Sequence, residues 1–307
     1  MSQYFAAFIF ITYVFFFPDL AFGDSEISQS TPLHIEGGWA VVTVHLNKQP
    51  KPLRFIVDTA AGKTIISNKI AEALGLIPIG KDIVKGAVGA GDFQMAIVKF
   101  LELGQISRTE FPVVLTDMEM FTIDDVHYDG ILGNDILRDY SYIFDVPANQ
   151  LVLIDTDQLD TKTWNTCLPN GGGSNVEDEL QGFAQVNLKL GKNTTIRAII
   201  DTGAGRNIIN WAAARALNLS EKSTELNVSK TLNGINKNVE AKSFETMINN
   251  LTFSKWDIPK FKTSISDLPV FEGFGLSNQP AAILGIEVLK MRPIGITRNA
   301  QSICLME

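Results

Sequence analysis

Hydrophobic and polar positions alternate in short runs along most of the chain, and the runs fall into two matching sets. Residues 38–46 and 182–190 each alternate with the period of two expected of a half-buried strand. Each is followed by an all-apolar run that ends in the same dipeptide, Phe55-Ile56-Val57-Asp58-Thr59 in the first set and Ala198-Ile199-Ile200-Asp201-Thr202 in the second. Ile65-Ile66-Ser67 and Ile208-Ile209-Asn210 come next, and then short helix-like stretches closing on Leu74-Gly75-Leu76 and Leu217-Asn218-Leu219. From Asp58 to Leu76 the two sets align without a gap at a constant offset of 143 residues.

The correspondence resumes further on. Asp129-Gly130-Ile131-Leu132-Gly133 leads into a predicted helix over 134–137 and strands near 142–144 and 151–154. Ala282-Ile283-Leu284-Gly285 leads into one over 286–289 and strands near 294–296 and 302–305. Between these anchors, residues 85–98 and 230–244 read as hairpins. Residues 161–175, with Pro169, Asn170 and three consecutive glycines, read as a linker. The chain therefore divides into an N-terminal segment 1–23, a lobe 24–157, a linker 158–176 and a second lobe 177–307. Two copies are too few for a solenoid and make a pseudo-twofold pair, in which a site on the axis receives one residue from each half.

At 307 residues, 45% apolar and 20% charged, the composition is that of a globular protein. The net charge of −8, with no basic stripe, argues against a nucleic-acid surface. Residues 4–17 are almost wholly apolar, and Ala21-Phe22-Gly23 offers a small-residue cleavage site ahead of Asp24. This segment reads as a secretory signal, too short to remain as a membrane span of roughly 20 residues. The expected location is secreted or periplasmic. Cys167 and Cys304 are the only cysteines; an oxidising compartment would let them pair, and two buried free thiols are equally compatible with the sequence.

An aspartate directly after a buried β-branched run is unusual, because an ionised carboxylate is costly to desolvate. Finding it at equivalent places twice suggests that Asp58 and Asp201 meet on the axis. Two carboxyls in contact share one proton, so one can act as base while the other acts as acid. Asp201-Thr202-Gly203-Ala204-Gly205 resembles the signature turn of retroviral-type and pepsin-type aspartic proteases. The two Ile-Leu-Gly elements resemble the later element of the same superfamily, and the whole is similar to bacterial retropepsin-like proteins present as two fused copies.

The resemblance implies a mainly β fold of two acid-protease lobes with an interlobe cleft, and an aspartic endopeptidase acting on peptide or protein substrates. It implies no cofactor, no metal and no covalent intermediate, in a monomer that is its own pseudo-dimer. It implies that Asp58 and Asp201 hold the catalytic water and that Thr59 and Thr202 brace the two turns. Hairpin tips at Gly86, Ala87, Val88 and Gly89, and at Asn233 and Gly234, would close over the substrate.

The first turn departs from the pattern, with Ala60 where the second has Gly203; if that position needs positive φ or close approach, alanine there is costly. Ala61 and Ala204 stand where pepsin-like enzymes often carry a hydroxyl, so the dyad is expected to ionise less readily and to favour mildly acidic to neutral pH.

Other motifs offer less. Gly62-Lys63-Thr64 lacks the earlier glycine of a phosphate-binding loop, and Gly86 to Gly91 does not have dinucleotide-site spacing. His34, His45 and His127 form no metal motif. Asp124, Asp125 and Asp129 read as a solvated loop, Asp135 and Glu287 as caps or ion-pair partners of the short helices, and Trp39 and Phe183 as core. The competing functional readings are an inactive relative that binds peptide or protein in its cleft, and an exported structural β protein.

Overall fold

The computed structural model describes residues 28–88, 90–118, 126–155, 164, 166–172, 182–228, 232–233 and 240–306. The segment read as a signal, Asp124, Asp125, Gly89, Gly234 and most of the linker lie outside the described residues. The fold is mainly β and contains two lobes.

Each lobe is organised around one central strand. In the first, Gly130–Leu132 lies between Leu53–Val57, to which it runs parallel, and Ile65–Ser67, to which it runs antiparallel. The chain thus descends one side of the central strand, turns at Asp58 and returns on the other side. In the second, Ala281–Leu284 lies between Thr194–Ile200 and Asn207–Ile209 in the same senses.

These strands are covered on both faces, which is why they read as unbroken apolar runs rather than alternating ones. Alternate side chains go to different places. Phe55, Val57, Ile66 and Leu132 enter the large common core, whereas Ile56, Ile65 and Ile131 enter a smaller cluster on the other face. In the second lobe Ala198, Ile200, Ile209 and Leu284 take the core side, and Ile199, Ile208 and Ile283 the other.

The lobes are fused by backbone pairing. Ser141–Asp145 of the first copy pairs antiparallel with Ile294–Ile296 of the second, with Ile143 directly opposite Gly295. These two residues hold equivalent positions in the repeat, so the pseudo-twofold axis passes between them. Gln150–Ile154 and Ser28–Glu36 extend the ladder on one side, Ser302–Leu305 and Cys167–Pro169 on the other. Ser28–Glu36 is thus an integral strand, with Leu33 fully buried.

The segment read as a linker carries order of its own. Cys167 lies opposite Cys304 in the ladder and the two form a disulfide. Asn170 donates to the carbonyls of Phe183 (2.9 Å) and Ala300 (2.7 Å), and accepts from Gly172 N–H (3.0 Å) and Gln185 N–H (3.2 Å).

The first hairpin is longer than the alternation suggested. It runs from Pro78–Lys85 into Ala90–Leu103, because Pro78–Lys85 is an edge strand whose Ile79 and Ile83 are exposed and give no burial signal. In the second lobe, among the described residues, Leu232–Asn233 pairs with Glu240–Ala241 there. Among the described residues no helix is long and apolar enough to cross a membrane.

The disulfide spans 137 residues of sequence. Loop-closure entropy gives such a cross-link a ceiling of about 5 kcal/mol. Reduction, or Cys167→Ser with Cys304→Ser, is expected to lower the unfolding free energy obtained from a denaturant titration by an amount below that ceiling.

Candidate active site

The two Asp-Thr turns meet on the pseudo-twofold axis, held there by four reciprocal hydrogen bonds. The Thr59 hydroxyl donates to the Ile200 carbonyl (2.8 Å) and accepts from Thr202 N–H (3.1 Å). The Thr202 hydroxyl donates to the Val57 carbonyl (2.7 Å) and accepts from Thr59 N–H (3.1 Å). Both threonines are 1% exposed. A buried hydroxyl must satisfy its donor and acceptor within the protein, and each of these does so entirely across the lobe boundary.

Within each turn the aspartate bonds back to its own loop. Asp58 Oδ1 accepts from Ala60 N–H and Ala61 N–H, each at 2.9 Å. Asp201 Oδ1 accepts from Ala204 N–H at 2.9 Å, and Gly203 N–H also lowers its proton affinity. The two carboxyls hydrogen-bond each other. Protein surrounds both, though each keeps a partly accessible face.

Burial raises the pKa of both carboxyls above the usual range. Asp201 is raised further, because the negative charge of Asp58 faces it.

The turns differ where the sequence differs. Neither Ala60 nor Gly203 has positive φ, so the backbone strain expected at Ala60 does not arise. Close approach is confined to the other turn. A β-carbon at Gly203 would overlap the Asp58 carboxyl, whereas the Ala60 methyl packs against an apolar cluster of the second lobe.

Behind each turn stands a second pair of side chains at matched positions. Thr64 donates through N–H (2.8 Å) and hydroxyl (2.7 Å) to the Asp135 carboxylate, and its hydroxyl oxygen accepts from Gly133 N–H (3.1 Å). In the second lobe Asn207 Oδ1 accepts from Gly285 N–H (2.9 Å), while its Nδ2 reaches Glu287 at 3.5 Å. Asp135 and Glu287 thus act on the catalytic loops rather than only on their own helices. The glycines they help hold admit no side chain. A β-carbon at Gly133 would lie 2.6 Å from the Lys63 carbonyl carbon, and one at Gly285 would lie 2.5 Å from the Ala204 carbonyl oxygen.

Two further readings change. Asp129 is half-buried and accepts from Arg54 N–H at 2.9 Å, pinning the strand that leads to Asp58 instead of lying in a solvated loop. Trp39 is not simply core: its indole N–H donates to the Gly203 carbonyl at 3.0 Å, from the opposite lobe. Phe183 at the equivalent place packs near Gly62 of the other turn. The cross-lobe contact was not visible in a strand-like run, although the matched aromatics were a usable signal.

Of the tip residues, Ala87 and Val88 approach the site, contacting the same apolar cluster as Ala60 and Ala204; Gly86 precedes them. Asn233 lies in a short strand, and Gly89 and Gly234 fall outside the described residues.

Thr202→Val is expected to leave the Val57 carbonyl and Thr59 N–H of the opposite turn unmatched, costing about 1–3 kcal/mol per unsatisfied group; chemical denaturation measures it. A second outcome follows from the raised pKa of Asp201. Its contribution to stability is present while the group is protonated and is lost as pH rises through the folded-state value. Asp201→Asn lacks that loss, so its melting temperature should gain on wild type as pH rises above the ordinary carboxylate range. A constant difference across that range would contradict the assignment.

A sequence profile described as aspartyl protease matches residues 42–136 and again residues 184–288. No protein of curated function matches the chain. The two matched regions are the two lobes that supply the braced turns, and together they cover more than half of the sequence. The chain belongs to the aspartyl protease family, with two copies of the family's unit fused in one polypeptide.

Proposed function

We propose that this protein is an endopeptidase that hydrolyses peptide bonds with water activated between Asp58 and Asp201. The supporting observation is the meeting of the two braced Asp-Thr turns on the axis, which faces Asp58 with Asp201 and raises the proton affinity of Asp201. Asp58 removes a proton from water as the water oxygen bonds to the substrate carbonyl carbon. Asp201 gives its proton to the carbonyl oxygen, producing a neutral gem-diol. On collapse the carbon–nitrogen bond breaks, the amine takes the proton held by Asp58, and Asp201 recovers its proton from a diol hydroxyl. Asp58 suits the role of base because two backbone N–H groups stabilise its charge. No bond forms between protein and substrate.

The protein acts in this reading as a monomer on exported peptides or proteins. The apolar N-terminal run and the disulfide support export to an oxidising compartment.

Cleavage of a peptide library by wild type, Asp58→Asn and Asp201→Asn tests the mechanism. Each substitution should remove turnover by a factor of at least about 1,000. Undiminished cleavage by either variant refutes the dyad, whereas retained peptide binding with no wild-type turnover would favour a binding protein. The kcat/KM profile should be bell-shaped, its acid limb set by ionisation of Asp58 and its alkaline limb by loss of the Asp201 proton. Burial raises both carboxyls, so a maximum near about pH 2 would contradict it.

A further inference from the structure

The strand Ala90–Leu103 changes partner part-way along one edge. It pairs with Pro78–Lys85 as far as Ala96, which lies opposite Pro78, and with Trp39–Leu46 from Leu101 onward. Asn47 bridges the interval, giving its N–H to the Phe100 carbonyl (2.7 Å) and accepting from Phe100 N–H at 3.1 Å. Beside this break lies a concavity of about 710 Å³, and no residue of the two Asp-Thr turns lines it. Leu74, Leu76 and Phe100 give it apolar surface, and both leucines pack on the core. Ile77 and Ile79 stand at its rim, 79% and 63% exposed. Lys48 and Lys99 complete the contrast, with the Lys48 ammonium 5.4 Å from the centre of the Phe100 ring. Among the described residues no carboxylate belongs to the lining.

Exposed isoleucines that border a concave apolar surface form a patch, unlike single aliphatic residues scattered over a surface. The charge around this patch runs against that of the chain, which is −8 overall. Lys81 adds to Lys48 and Lys99, on the exposed edge strand two residues beyond Ile79. The one acidic residue of that strand, Asp82, is answered by Lys63 at 2.9 Å. Asp92, opposite Ile83, bounds the basic stretch toward the hairpin tip. The partner that fits is therefore both apolar and anionic. Addition of a peptide strand to this edge is disfavoured. Pro78 has no N–H to offer, and the ladder is irregular between Pro78 and Gly80, two devices that blunt a sheet edge.

We propose that this face of the first lobe docks on an anionic lipid bilayer. Ile77 and Ile79 enter the boundary of the acyl chains, and Lys48, Lys81 and Lys99 lie at the level of the headgroup phosphates. Neither signal suffices alone. Two aliphatic side chains bury little area, and a few lysines are screened within a Debye length. Together they give the paired apolar and basic signals that stable attachment to a bilayer surface needs. The docking surface contains no residue of the dyad or its brace, so it stands independently of peptide hydrolysis.

The full chain is sedimented with phosphatidylglycerol vesicles and with phosphatidylcholine vesicles, wild type beside Ile77→Ser/Ile79→Ser and Lys48→Gln/Lys99→Gln. Wild type should prefer phosphatidylglycerol, and each double variant should weaken that partition by roughly tenfold or more. Lys222→Gln/Lys290→Gln removes equal charge from the second lobe and should stay near wild type. Because the apolar run of residues 4–17 can hold the chain on either vesicle, a reading at the patch decides the matter. The two native cysteines are joined, so an environment-sensitive dye on Ile77→Cys reports that position. Its emission should shift to the blue on phosphatidylglycerol vesicles, and that of a dye on Lys222→Cys should not. No blue shift at position 77 overturns the proposal, whatever sediments. So does a wild-type dimer in sedimentation velocity that Ile77→Ser/Ile79→Ser abolishes, because a second copy would then be what covers the patch.

Discussion

Two acidic side chains that repel each other when both are charged are held in contact by two uncharged ones. Thr59 and Thr202 spend all their hydrogen-bonding capacity across the lobe boundary, on main-chain groups of the opposite turn. Their burial makes the arrangement exclusive, because water cannot replace a missing partner. The rest of the site depends on this brace. It holds the two carboxyls against each other, and the charge of Asp58 facing Asp201 raises the proton affinity of Asp201.

The brace is nearly symmetric, but the chemistry it supports is not. Gly203 lies so close to Asp58 that no side chain fits, while Ala60 turns its methyl toward the second lobe's apolar cluster. Trp39 adds a donor to the Gly203 carbonyl that its counterpart Phe183 cannot supply. A pseudo-twofold frame made of one chain is free to diverge in this way, since each half can be substituted independently. The asymmetric proton affinities of Asp58 and Asp201 arise within that freedom.

Precision in the turns is inherited from the strands behind them. Each turn connects two strands that flank the same central strand, and each central strand ends in a glycine packed against the turn's own backbone. Thr64 with Asp135, and Asn207 with Glu287, tie those glycines to the returning chain. At the far end of the axis, the pairing of Ile143 with Gly295 makes the two lobes one hydrogen-bonded ladder. The axis is thus held at both ends, by side chains at the catalytic turns and by backbone at the base.

The sequence by itself determined the repeat, the mainly β lobes, and the identity of the two aspartates and two threonines. It could do so because buried strands need unbroken apolar runs, and a carboxylate after such a run stands out at both of its occurrences. Hairpin limits and the order within the linker were not legible: exposed isoleucines on an edge strand carry no burial pattern, and Asn170 acts through partners far along the chain. Only the tertiary structure decided that Ala60 is unstrained, that Asp58 raises the proton affinity of Asp201, that Cys167 and Cys304 pair, and that Val88 is buried in the opposite lobe. Each of these depends on which groups from distant segments come within a few ångströms of one another, and local sequence does not encode that proximity.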